Sequence, residues 1–555
     1  MDATTAWVKP PTKGGGVDHL GIQQTPIFIF SNLLPGMTVL TDRISNYSFY
    51  PWVAWTHHQE GQRLGLDFVH TLRRADCLLT LVAERHAQTR QEDVKLHGRG
   101  LVGRNTLVPA LRPDAKRPIP LGELAAPRSE NSNSYFKNRL GGLGQYYLGP
   151  LRELGVLRRE GTKVECSEDI GVPLAKAFDG RVDRKAFLGV LRQGVVDDKD
   201  LDRLASFCPC YLSTHVLERE LLIDLLFARK ANATARDQQR RQTLLLLLDL
   251  ALRRDDHGEA SLDEAFRAAC LTSAIDDESA WNPPQAWNRV RRAWAVYERN
   301  DELSIAVLGV FWVALRLVDD RGGTAQSVGE IGKLVAEAAS KALKKEGKLK
   351  VYESVAARAR SLPPLPEWKN AEHEFQRSRD VWSAARDSDD TACLVASIDT
   401  LLALAARHTE PHPYLEAGIP SDYLSHYPLN LSSFGQNISG EWRALTVAEW
   451  AGTLAAEWGV EAHLRVALRK LHAESLDTFL LYVTDEGIRR RADAEPPRPG
   501  FTASRVSRAV QFLVDLGLAR WQTPEDPMEE QGTPSGGWVA RISPLGRELR
   551  EDLGA

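Results

Sequence analysis

Between residues 181 and 408, apolar side chains recur every three to four positions, and each run is closed by polar, glycine or proline residues. Residues 217–230, 240–253, 262–272, 285–299, 303–318, 327–345, 372–386 and 391–408 all carry this spacing. The pattern predicts a helical bundle or array and a mainly α fold. Trp281, Trp287, Trp294 and Trp312 stand at helical spacing within it and are expected to fill the space between helices.

Two stretches far apart in the chain share a different pattern. Leu151-Arg152-Glu153-Leu154-Gly155-Val156-Leu157-Arg158 and Leu513-Val514-Asp515-Leu516-Gly517-Leu518-Ala519-Arg520 follow one order: leucine, any residue, acid, leucine, glycine, two apolar residues, arginine. In the tail, Thr502 is placed to cap a helix with Val506, Val510, Leu513 and Leu516 on one side. Arg505 and Arg508 lie three apart on another side, and Gly517 ends the helix. A short apolar run, 518–521, then leads through a loop rich in proline and glycine to a strand-like run, 538–542. Ser543-Pro544-Leu545-Gly546 opens a closing helix over 547–553, with proline in a first turn that needs no N–H from it. Upstream the sequence repeats this order. Arg159-Glu160-Gly161 joins 156–158 to 163–166, and Ser167 to Gly171 precedes a helix holding Leu174, Ala177 and Phe178.

Helix, glycine stop, hairpin and closing helix in this order resemble the winged-helix modules of MarR-like and related bacterial regulators. The resemblance implies one module over 493–555 and a second over 129–180. It further implies double-stranded DNA as a partner. Ser504, Arg505, Ser507, Arg508 and Gln511 would then face a major groove, with Arg520 and Arg541 on phosphate. Within 134–163 of the upstream module, Lys137, Arg139, Arg152, Arg158, Arg159 and Lys163 stand against Glu153 and Glu160, a balance suited to a polyanion. Glu525, Asp526, Glu529 and Glu530 in the tail's loop would repel a phosphate backbone, so protein docking is the competing use of that copy.

Around these modules the chain divides into an N-terminal helical domain, 17–128, the module 129–180, a helical bundle, 181–410, a helix-turn-helix segment, 441–492, and the tail module 493–555. In the helix-turn-helix segment, Thr446 to Glu449 is a capping box opening a helix over 447–458. Gly459-Val460 reads as the break before a second helix, 461–473, and a strand is expected at 479–483. The aromatic group Tyr47, Phe49, Tyr50, Trp52 and Trp55 has only Arg43 near it, which favours core packing over base stacking. The glycine-rich stretch 98–103 lacks the ending of a phosphate-binding loop and reads as a solvated loop.

Composition narrows the function. A net charge of −4 gives no global pull toward a polyanion, so a nucleic-acid site must be a local basic patch. Prominent arginine with only three methionines matches a GC-rich bacterial coding sequence. No apolar run approaches the roughly 20 residues a bilayer requires, and no secretory leader is visible, so a cytoplasmic protein without membrane contact is expected. The six cysteines are expected to be buried thiols. Cys208-Pro209-Cys210 with His215 offers three zinc ligands at a spacing shorter than paired cysteines favour, so no metal and no cofactor are expected.

Neither a nucleophile elbow nor a kinase signature is found. The reading is therefore a non-enzymatic, DNA-binding component of a bacterial multi-protein system, and the N-terminal 33–36 and 47–52 motifs look like those of proteins in anti-phage defence loci. One alternative rests on the layout of modules toward both ends with helices between. This resembles kleisin-type subunits that bridge SMC-like ATPases, and implies protein partners that include an ATPase. The other alternative is a nuclease or other enzyme whose site converges from distant residues.

Overall fold

The computed structural model describes residues 18–161, 163–229, 233–254, 261–275, 279–319, 324–346, 354–360, 368–407, 419, 424, 427–470, 479–522 and 539–554. The fold is mainly α. Among the described residues, strands form only three two-stranded antiparallel hairpins: Leu157–Glu160 with Lys163–Cys166, Leu481–Thr484 with Gly487–Arg490, and Ala519–Gln522 with Val539–Ile542. No helix among them is long and apolar enough to cross a membrane.

The chain forms two compact units, and each is assembled from two separated stretches. One joins the chain up to Phe30 to Phe266–Ala503, and the other joins Ser31–Ala265 to Ser504–Ala555. Five consecutive domains, the division read from sequence, follow chain order; the structure follows side-chain partners that lie hundreds of residues apart.

In the first unit, the central element is the helix Asn288–Asp319, 32 residues long. The sequence suggests two helices here, because Asn300-Asp301-Glu302 looks like a polar break. The helix runs through these residues because each polar group finds a partner in the interior. Asn300 donates to the Val296 carbonyl at 2.7 Å and accepts from the Leu431 N–H at 3.0 Å. Asp301 accepts from the Thr502 N–H at 2.7 Å and from its hydroxyl at 2.6 Å. Arg267 grips Glu298 at 2.7 Å and reaches Asp301 at 3.5 Å. Around this helix pack Val328–Glu346, Trp368–Arg386 and Asp390–Arg407. Trp281, Trp287, Trp294 and Trp312 are all buried, as their spacing predicts.

The expected helix-turn-helix is absent from the described part of 441–492. Val447–Thr453 passes without interruption through a π-helical stretch, Leu454–Glu461, into Ala462–Lys470. Gly459 does not break the helix, because Trp458 and Val460 beside it are buried and Gly459 itself rests on the Phe311 ring. The expected strand is present as Leu481–Thr484.

In the second unit, the helix Asn46–Leu64 carries the aromatic group into the core, where Tyr47, Phe49, Tyr50 and Trp52 are buried. Trp52 packs on Phe178, Phe187 and Phe207 at centroid distances of 5.2, 4.6 and 5.4 Å. Tyr47 meets Tyr147 and Phe512 edge-on at 5.9 and 5.5 Å. The next helix, Phe68–Arg90, places Arg73 and Asp76 three apart and buried. Arg73 donates to the carbonyls of Ala125, Ala126, Phe136 and Asn138. Asp76 accepts from Tyr50, Tyr135 and the Gly142 N–H at 2.8, 2.8 and 2.7 Å.

Burial raises the Asp76 carboxyl from 3.8 to about 6, against the opposing pull of these hydrogen bonds. Between those two pH values the folded chain holds more of this proton than the unfolded chain, so on this group's account stability falls as pH rises from about 4 to about 6, then levels. Asp76→Asn should flatten that part of the profile. It should also lower stability at every pH by about 1–3 kcal/mol, because a carboxamide cannot satisfy all three donors. Urea unfolding of both chains across this pH range, compared as a difference, checks both expectations.

Candidate nucleic-acid interface

The two stretches singled out by sequence fold in the same way and share a set of equivalent hydrogen bonds. Their leading helices are Leu148–Glu153, which follows a π-helical turn Leu143–Tyr147, and Val506–Asp515. Each ends at a glycine in the left-handed region, Gly155 with φ +70° and Gly517 with φ +72°. The next residue, Val156 or Leu518, donates back to Leu151 or Leu513 at 2.8 Å in both copies. The hairpins then pair in equivalent register, Leu157 with Cys166 and Ala519 with Ile542.

After each hairpin a serine closes the bracket. Ser167 N–H donates to the Val156 carbonyl and Ser543 N–H to the Leu518 carbonyl, both at 3.0 Å. Their hydroxyls accept from the Gly171 and Gly546 N–H groups, again both at 3.0 Å. Gly171 starts the closing helix Gly171–Asp179 and Gly546 lies in the first turn of Pro544–Gly554, each with its backbone pressed against the residue that leads into the first strand. A Cβ on Gly171 would stand 2.3 Å from the Val156 oxygen, and one on Gly546 2.1 Å from the Leu518 oxygen. The tail's loop, with Glu525, Asp526, Glu529, Glu530 and Trp538, lies outside the described residues.

The copies differ in what their polar residues do. In the tail copy, Arg505 donates to the Leu34 carbonyl and the Ser31 hydroxyl, both at 2.9 Å. Burial lowers its guanidinium to about 10, opposed by the Glu153 charge, so it stays charged at neutral pH. Arg508 donates to the Val39 carbonyl at 2.8 Å and pairs with Asp42. Gln511 donates to Asp515 at 2.8 Å, and Asp515 in turn accepts from the Ile44 N–H and pairs with Arg43, both at 3.2 Å. Arg541 donates to the Arg254 carbonyl at 2.9 Å. Of the residues expected to touch DNA in this copy, Ser507 and Arg520 are exposed and Ser504 is half-buried. Of the major-groove set, Arg505, Arg508 and Gln511 thus find partners inside the unit, the two arginines holding residues 31–42, while Ser507 stays exposed.

In the upstream copy, Lys137, Arg139, Arg152, Arg158, Arg159 and Lys163 are all exposed. Lys137, Arg139, Arg152 and Arg158 make no ion pair or hydrogen bond among the described residues. Arg159 donates to the Gly161 carbonyl of its own turn at 2.9 Å, and Lys163 pairs with Glu165. Of the two acids within 134–163, Glu153 is already engaged by Arg236 at 2.6 Å and by the Gly36 N–H at 2.6 Å. The module thus presents a local positive field on a chain whose net charge is −4.

His215, the histidine nearest in sequence to the Cys208-Pro209-Cys210 pair, faces Glu218 at 3.8 Å. His86 and His97 are the histidines that meet these cysteines. No spacing signal links positions more than a hundred residues apart; only the paired cysteines marked the place.

The bracket predicts that Gly171→Ala and Gly546→Ala each destabilise the chain by about 1–3 kcal/mol, since the added methyl meets backbone that must shift. Gly149→Ala, where nothing lies within 4 Å of a built Cβ, should be neutral or stabilise by up to about 1 kcal/mol through helix propensity. Equal midpoints in urea for the three variants would dispose of the bracket. Compared with protein-family models, curated proteins and solved structures, the chain matches none.

Proposed function

We propose that this chain is a non-enzymatic DNA-binding component that holds the phosphate backbone of a duplex with its upstream helix–hairpin module, residues 134–166. The single observation that carries the reading is the set of exposed cations there: Arg152 on the leading helix, Arg158 and Arg159 on the first strand, and Lys137 and Arg139 on the approach. Cations without internal partners release counterions when they meet phosphate, which makes such binding favourable and salt-dependent. Phosphate contacts fix position and carry no direct sequence information. In the tail copy the longest of the would-be base-reading side chains, Arg505, Arg508 and Gln511, are occupied internally, so little sequence preference is expected.

A fluorescent random duplex titrated with the full chain tests this. Affinity should fall steeply between about 50 and 200 mM salt. The triple variant Arg152→Ala/Arg158→Ala/Arg159→Ala should bind more weakly to all sequences alike and lower the log–log salt slope by about 1 for each phosphate no longer neutralised. Arg505→Ala should leave that slope unchanged and lower thermal stability instead. No binding at the lower salt, or a triple variant that binds like the parent chain, would refute the proposal.

A further inference from the structure

We infer that His86, His97, Cys208 and Cys210 form a structural zinc site inside the second unit. Their ligand atoms all lie within 4.8 Å of one another. Zinc held tetrahedrally at about 2.3 Å from sulfur and about 2.0–2.1 Å from nitrogen needs ligand atoms spaced by about 3.3–3.8 Å. Two edges already have that length: His97 Nδ1 to Cys208 Sγ is 3.3 Å and Cys210 Sγ to His86 Nδ1 is 3.5 Å. Closing the longest separation takes a movement of about 1 Å, within reach of side-chain rotation.

The surroundings match the donor set. His97 and Cys208 are fully buried, His86 nearly so and Cys210 half-buried, which limits competition from water. With His97 binding through Nδ1, its Nε2 carries the proton and donates to Glu92 at 2.8 Å, the carboxylate–histidine–metal arrangement that orients a zinc-bound imidazole. The His86 ring is fixed on its face by Tyr211, with centroids 5.4 Å apart and planes 23° apart, and on its edge by His97 at 5.0 Å. Pro209 opens a 3-10 turn, Pro209–Thr214, and its fixed φ holds the two thiols at one corner.

Two thiolates and two imidazoles select a borderline-soft ion and disfavour magnesium or calcium. Four protein ligands complete the tetrahedron and leave no position for water or substrate, so the site is structural. It ties the helix Phe68–Arg90, the short helix Val94–His97 and residues 208–210 into one cluster. This inference is independent of the DNA reading, since none of the four residues lies in either helix–hairpin module.

Elemental analysis of the full chain, purified without chelator, should find about one zinc per chain. Cys208→Ser/Cys210→Ser should remove it, and Cys77→Ser should retain it. Apo chain titrated with cobalt(II) should develop a thiolate charge-transfer band with tetrahedral ligand-field absorption. Glu92→Gln should keep that spectrum and bind cobalt about 10–100-fold more weakly. The cobalt spectrum of the unaltered chain stands even where the serine variant fails to fold. The inference is overturned by a chain that carries no zinc and gives no thiolate–cobalt band, or by metal content that survives the double substitution.

Discussion

A carbonyl oxygen in a loop or at the last turn of a helix that is shut away from water must be given a donor, and at many such places in the second unit arginine supplies it. Arg73 serves four such oxygens between Ala125 and Asn138. Arg240 serves Leu225 and Leu226 at a helix end, Arg505 serves Leu34, Arg508 serves Val39 and Arg541 serves Arg254. The guanidinium suits this work because its donors fan out in a plane and its charge survives burial. Much of the irregular backbone of this unit is held by these side chains, and the positions of the helices follow from it.

The same fact explains which parts of the chain were legible in its sequence. Long apolar periodicity marked the helices between 217 and 407 to within a few residues, because burial of one stripe needs no knowledge of the partner. It failed at Asn300-Asp301-Glu302 and at Gly459, where distant groups decide: Thr502 and Leu431 at the first, Phe311 at the second. The Leu-Gly and Ser-to-Gly echo was legible because its purpose is local, with every bond of the bracket inside some twenty described residues of one copy. The fate of Arg505 and Arg508 was not legible. Two arginines on the polar face of a helix look the same whether solvent or residues 31–44 lie over them. Nor could a sequence reading join His86 and His97 to Cys208 and Cys210, which only the fold brings together.

The two copies therefore share a frame and differ in occupation. Glu153, at the end of the upstream leading helix, is engaged by Arg236 and Gly36, while the equivalent Asp515 is buried on Arg43 and Ile44. One acid in the motif thus anchors each copy to the rest of its unit. Beyond that anchor, Arg158 and its equivalent Arg520 are both exposed, but the strand opposite differs: the upstream hairpin has Glu165 there, paired with Lys163, and the tail hairpin has Arg541, drawn to the Arg254 carbonyl. Repetition of a backbone bracket does not carry repetition of surface with it.

The division of the second unit between residues 31–265 and 504–555 bears on the order in which the chain is made. Translation delivers Tyr47 early and Phe512, the ring that meets its edge, more than four hundred residues later. Until then the segment 31–44 has neither Arg505 nor Arg508 to hold its carbonyls, and Arg43 lacks Asp515. That flank can be closed only once 266–503 have been made and 504–515 have followed them, so its docking comes later than the packing of 45–265.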